Sequence, residues 1–93
     1  MSTSVNRNAK RASRVRRSEK EARSVLIRSF AHALTVAPSH AAAAKWMNRK
    51  PVTVRRWLSG DYRLDVEAIM CSPKLWRAFL GCLIEQDRKS GWL

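Results

Sequence analysis

Residues Ser39 to Gly60 read SHAAAAKWMNRKPVTVRRWLSG, and the organisation of the chain follows from how this stretch divides. The spacing predicts two short helices around a tight corner. Ser39 is suited to cap the first, because its hydroxyl can accept from a backbone N–H that has no partner inside the helix. His40 to Met47 is rich in alanine, which loses no side-chain entropy on helix formation. The corner falls near Asn48, the residue type that, after glycine, most readily takes the left-handed backbone that ends a helix. Pro51 suits the first turn of the next helix, which is predicted to run to about Ser59 and to close at Gly60 and Asp61.

The apolar positions agree with this division. Ala44 and Met47 in the first helix, and Val54, Trp57 and Leu58 in the second, recur at three- and four-residue spacings that gather them on one side of each helix. Small Ala44 lets the two helices cross closely. Facing outward on the second helix are Lys50, Val52, Arg55, Arg56 and Ser59, with Arg49 at the corner and no acid among them. Such a face has the shape and charge to enter a DNA major groove, where arginine pairs bidentately with guanine. The plain alternative is an ordinary helical hairpin with a solvated basic face.

The segment His40 to Gly60 resembles, without a gap, the helix-turn-helix of phage repressor and Cro-like (XRE-type) regulators. Ala44 stands where that family has its small helix-crossing residue, Met47 where it has a leucine, and Val54 and Trp57 where it has the buried residues of the recognition helix. Gly60 matches a glycine of many members, and the run Thr53 to Gly60 (TVRRWLSG) is especially similar. Four positions depart from the pattern. Asn48 replaces the usual turn glycine, Arg49 sits where an apolar residue is common, Lys50 takes a site often held by a capping Ser or Thr, and bulky Trp46 occupies a usually polar, exposed site. The resemblance implies an operator-binding protein that pairs as a homodimer and acts by excluding polymerase.

The whole chain sets the wider bounds. At 93 residues it is expected to form one domain with a small core and no separate catalytic or effector domain. Its net charge of +12 and pI near 11.3 point to a polyanionic partner, nucleic acid first and an anionic membrane surface second. With 45% apolar residues and four tryptophans, the chain as a whole is no disordered basic tail. No apolar run reaches the length of a membrane-spanning helix or a signal-peptide core, which predicts a cytoplasmic, nucleoid-associated protein. Cys71 and Cys82 read as buried thiols. With His32 and His40 they lack finger-type ligand spacing, so neither a metal nor another cofactor is expected. There is no glycine-rich phosphate loop, no internal repeat and no nucleophile with a recognisable base partner, so neither an enzyme nor a small-molecule site is read here.

Taken in order, residues 1 to 17 form an acid-free block holding Arg7, Lys10, Arg11, Arg14, Arg16 and Arg17. It cannot bury enough apolar surface to order itself. It therefore reads as a flexible basic arm lying along phosphates or in a minor groove, or else as a solvated tail. Its composition is also faintly that of a transit peptide, but an apolar face is missing. Ser18 and Glu21 fit a capping box that opens a helix to about Val36, with Val25, Leu26, Phe30, Ala33 and Leu34 as its apolar stripe and His32 partly buried. Pro38 ends it.

Beyond the central motif, Asp65 is placed to cap a brief helix through Met70 or Cys71, with Val66, Ile69 and Met70 packing inward. Ser72 and Pro73 open a last helix to about Gln86. That helix is apolar over more than one face, so it is either the centre of the core or carries a dimer interface built on Trp76, Phe79, Leu80 and Leu83. Trp92 is placed to fold back over it.

The expectation is thus an all-α, compact bundle of about five helices over residues 18–93, with a helix-turn-helix at 39–60 and a disordered basic arm at 1–17. In this reading Lys50, Val52, Arg55 and Arg56 approach base edges of double-stranded DNA. His40, Arg49, Ser59, Arg63, Arg14, Arg16 and Arg17 hold phosphates, with exposure alone the alternative for His40 and an ion pair to Asp61 or Asp65 the alternative for Arg63. Two other functions fit the same residues: a non-specific nucleoid- or RNA-associated binder, and a phage structural or protein-interaction module whose motif packs on protein.

Overall fold

A computed structural model of the chain describes residues 17–91. Among them are five α-helices, one short 3-10 turn and no strand. Helix α1 spans Glu19–Ala33, a 3-10 turn follows at Leu34–Val36, α2 spans His40–Trp46, α3 Pro51–Ser59, α4 Val66–Met70 and α5 Pro73–Lys89. None of these helices is long and apolar enough to cross a membrane.

Each helix begins on a local signal. The Ser18 hydroxyl accepts the Glu21 N–H at 3.1 Å, although no return bond from the Glu21 side chain accompanies it among the described residues. Ser39 accepts the Ala42 N–H at 3.1 Å, Asp65 the Glu67 N–H at 3.1 Å, and Ser72 the Leu75 N–H at 3.4 Å. Helix α3 is the exception: its N-cap is Lys50, which makes no side-chain cap. Pro51 in its first turn removes one N–H that would otherwise lack a partner.

Two helices end on the same device. At the end of α2 the Arg49 N–H donates to the Ala44 carbonyl at 2.8 Å and the Asn48 N–H to Lys45 at 3.0 Å, with Asn48 at φ 56°. At the end of α3 the Asp61 N–H donates to Arg56 at 3.1 Å and the Gly60 N–H to Trp57 at 3.3 Å, with Gly60 at φ 84°. Both are the paired C-terminal bonds that a left-handed residue makes possible. A Cβ at Gly60 would meet only Ile27 Cδ1, at 3.9 Å, so the backbone angle and not crowding asks for glycine there.

The core lies where the five helices converge. Phe30, Ala33 and Leu34 from α1 and its 3-10 extension meet Ala43, Ala44 and Met47 of α2, Val54 and Trp57 of α3, Ala68 and Ile69 of α4, and Leu75 and Phe79 of α5. Helices α1 and α5 pack most extensively on one another, α2 lies against α3, and α4 against α5. Four of the twelve core residues are alanine, which lets helices this short come close without voids. Between α1 and α5, the buried Ser29 hydroxyl donates to the Val25 carbonyl and accepts from Gln86 Nε2. No buried side-chain polar atom among the described residues lacks a partner.

Several expectations are corrected. The helix expected to reach Val36 tightens to 3-10 geometry at Leu34, and the last helix continues past Gln86 to Lys89. Met70, expected to pack inward, is 55% exposed, because a five-residue helix has room for only one buried side and Ala68 with Ile69 fill it. His32 is exposed rather than partly buried. Cys71 is exposed and Cys82 only partly covered, so neither is a buried thiol. Phe79, placed on a pairing face, is 1% exposed in the core and has no surface to offer a second chain.

Candidate nucleic-acid interface

Helix α3 is held from beneath by Val54 and Trp57, exposed at 0% and 4%, and by the partly buried Leu58. Helical periodicity then throws Val52, Arg55, Arg56 and Ser59 onto the opposite side, at positions i, i+3, i+4 and i+7 of one stripe. All four are exposed, as is Lys50 at the head of the helix. Val52 at 37% exposed is an apolar side chain set among cations. The helix contains no acidic residue, so its outward surface presents positive charge and one methyl-bearing contact.

The two arginines of the stripe differ. Arg55 is exposed and makes no hydrogen bond or ion pair among the described residues. Arg56 donates from Nη1 to the Tyr62 hydroxyl at 3.0 Å and lies over the Tyr62 ring, 4.9 Å from its centroid. Ser59 turns back into the helix end: its hydroxyl is 3.0 Å from both the Arg56 carbonyl and Asp61 Oδ2 and donates to one at a time. Ser59 is therefore engaged within the chain, and Asp61 puts a negative charge beside the end of the stripe.

At the other end of α3 the corner is basic but partly neutralised. Arg49 Nη2 donates to Asp65 Oδ2 at 3.0 Å, and its Nη1 reaches the Asn48 carbonyl at 3.1 Å. Asp65, one of the two acids offered to Arg63 as an alternative ion-pair partner, is thus paired with Arg49. Arg63 instead lies in the connection after α3, at the edge of an open cleft against α1 that also involves Glu19, Arg23 and Leu26. His40 is exposed in the first turn of α2 and free to face a phosphate.

Arg17 does not behave as part of an arm. Its guanidinium pairs with Asp87 of α5, and its side chain is 19% exposed, which ties the segment leading into α1 to the C-terminal part of α5. The phosphate role read for Arg17 is thus shared with an acidic partner inside the chain. Arg14, Arg16 and Trp92 lie outside the described residues. Trp46, the bulky departure at a usually exposed position, is half-buried against the core, with the Lys74 ammonium of α5 5.7 Å from its ring centroid. On α5, Trp76 and Leu83 are half-buried against the core and Leu80 is also only partly exposed, while Ile84 stands 44% exposed.

The residue that sequence reasoning missed is Tyr62. It lies six positions after Arg56 and beyond the helix end, where no periodicity connects the two; only the left-handed turn at Gly60 returns the chain to Arg56. The comparisons with known proteins add no name to this geometry: no family model, curated protein or solved structure matches the chain.

Proposed function

We propose that the chain is a sequence-specific double-stranded DNA-binding protein whose α2, corner and α3 act as a helix-turn-helix, resembling phage repressor and Cro-like regulators. The observation that carries this is the stripe of Val52, Arg55, Arg56 and Ser59 on a helix whose other side is fixed in the core. A rigid helix bearing unneutralised arginines and an exposed aliphatic group fits a major groove, where guanine offers two acceptors and thymine a methyl. Arg55 reads guanine, Val52 packs on a thymine methyl, and Lys50 and Arg56 complete the contact. His40 in the first turn of α2 and Arg49 in the α2–α3 corner meet phosphates. The net charge of +12 supplies the attraction that brings the duplex in. In a bacterium or phage-infected cell a protein with this function acts on the nucleoid.

Repression and pairing rest on the resemblance. A second copy would use the exposed side of α5 around Ile84 and the partly covered Trp76, Leu80 and Leu83, without Phe79.

The test is selection of duplexes from a random pool by the full-length protein, followed by competition with random duplex at moderate salt. A specific reader keeps a preference of about 10³-fold or more, and Arg55→Ala costs about 1–3 kcal/mol on the selected site and relaxes one base position. Equal loss on every sequence removes Arg55 from base reading. No preference at all leaves binding by counterion release alone, and no binding even at low salt points to a protein-interaction module.

A further inference from the structure

Arg56 and Tyr62 form the most completely specified side-chain unit on the exposed surface of α3. The Tyr62 hydroxyl accepts from Arg56 Nη1 at 3.0 Å while the guanidinium lies over the ring at 4.9 Å, so one residue holds the group by two contacts. The backbone beneath is equally constrained. The Arg56 carbonyl accepts the Asp61 N–H at 3.1 Å and the Tyr62 N–H at 3.4 Å, and the Ser59 hydroxyl lies at 3.0 Å. Gly60 in its left-handed turn makes this return of the chain possible. Yet Tyr62 is 52% exposed, so the arrangement contributes little to the core.

We infer that Tyr62 is a positioning residue for recognition: it holds the Arg56 guanidinium in one orientation on the surface of α3, so that Arg56 meets DNA already aligned. This rests on the DNA-binding reading above. A guanidinium has five N–H donors, and the bond to Tyr62 occupies one, leaving the Nη2 side of the fork for a base edge. Planar, bidentate recognition depends on orientation more than on charge, and a long side chain fixed beforehand loses less freedom on binding. Neighbouring Arg55 has no such support. The two arginines therefore divide the work: Arg56 is pre-set and discriminates by geometry, and Arg55 adapts.

The experiment is a double-mutant cycle on the full chain with the duplex selected by the wild-type protein, with random duplex measured in parallel. Tyr62→Ala is expected to weaken binding to the selected duplex about three- to tenfold, the scale of ordering one long side chain, and to leave random duplex unchanged. Tyr62→Phe, which keeps the ring and loses the hydroxyl, gives a smaller loss. In an Arg56→Ala background Tyr62→Ala has no further effect. Thermal melts of the free variants should match the wild type, which excludes a general loss of structure. Additive losses from the two substitutions, equal loss on selected and random duplex, or a preference that Tyr62→Ala leaves undiminished overturns the positioning role alone. A wild-type chain that prefers no duplex overturns the DNA reading and this role together.

Discussion

The Phe30 and Trp57 rings meet edge to face, with centroids 5.6 Å apart and planes at 75°. Their contact joins α1 to the helix that carries the basic stripe, and both residues are within 4% of full burial. Position and orientation of the stripe thus depend on a buried aromatic pair that itself never reaches the surface. Truncating Trp57 to Ala removes the larger partner and leaves a cavity, at an expected cost of about 3–5 kcal/mol. Against the marginal stability of a domain this size, that variant should be substantially unfolded in urea concentrations the wild type tolerates. Far-UV circular dichroism through a urea titration measures it. A cost below about 1 kcal/mol would mean that Trp57 is not the anchor of α3.

Lys50 sets folding against binding. It occupies the N-cap of α3 without a side-chain cap, and its charge adds to the positive end of the helix dipole. Lys50→Ser supplies the missing acceptor and removes the charge, so the free protein should gain about 0.5–1.5 kcal/mol. The same substitution should weaken binding to the selected duplex. Melting and duplex titration of one variant check both halves; a variant that is more stable and binds as well as wild type would show that Lys50 does not face DNA.

Asp65 serves α4 and the corner at once. Its Oδ1 accepts the Glu67 N–H and its Oδ2 takes Arg49, in a pair whose side chains are 38% and 39% exposed. Exposed pairs of this kind contribute about 0–1 kcal/mol, so Arg49→Ala should barely change stability. Asp65→Ala should cost about 1 kcal/mol, chiefly through the lost cap. Asp65→Asn keeps an acceptor for the cap and releases Arg49. It should tighten duplex binding and steepen its salt dependence, because a freed cation gains a phosphate. Unchanged salt dependence in a filter or anisotropy titration would separate Arg49 from the interface.

Gly81 stands in the middle of α5, and a Cβ built there meets nothing within 4 Å. Nothing in the packing of a single chain explains a glycine at this place. Gly81→Ala should therefore stabilise the free protein by about 0.5–1 kcal/mol through helix propensity. If two copies pair across this side of α5, the added methyl would meet the partner and shift sedimentation toward the monomer. A stabilised variant with unchanged sedimentation would remove Gly81 from any pairing surface.

What was legible in the sequence is the part of the structure written over a few neighbouring residues. Ser18, Ser39, Asp65 and Ser72 cap the helices that follow them, Asn48 and Gly60 turn left-handed, and Pro51 and Pro73 open helices, each through bonds that span no more than five residues. The spacing of Val54 and Trp57 likewise fixed which side of α3 would be buried and left Val52, Arg55 and Arg56 outside. Partnership across the fold was not legible. Arg17 finds Asp87 across 70 positions and Arg49 finds Asp65 across 16, and neither choice is marked by the residues around it. Composition also left open whether Phe79 would lie in the core or on a surface, spacing turned Met70 inward where the structure exposes it, and nothing marked Tyr62 as the support of Arg56. A helix can show which of its sides is apolar, but the number of sides that become covered depends on which neighbours reach it. That is settled only when all five helices compete for the same small interior.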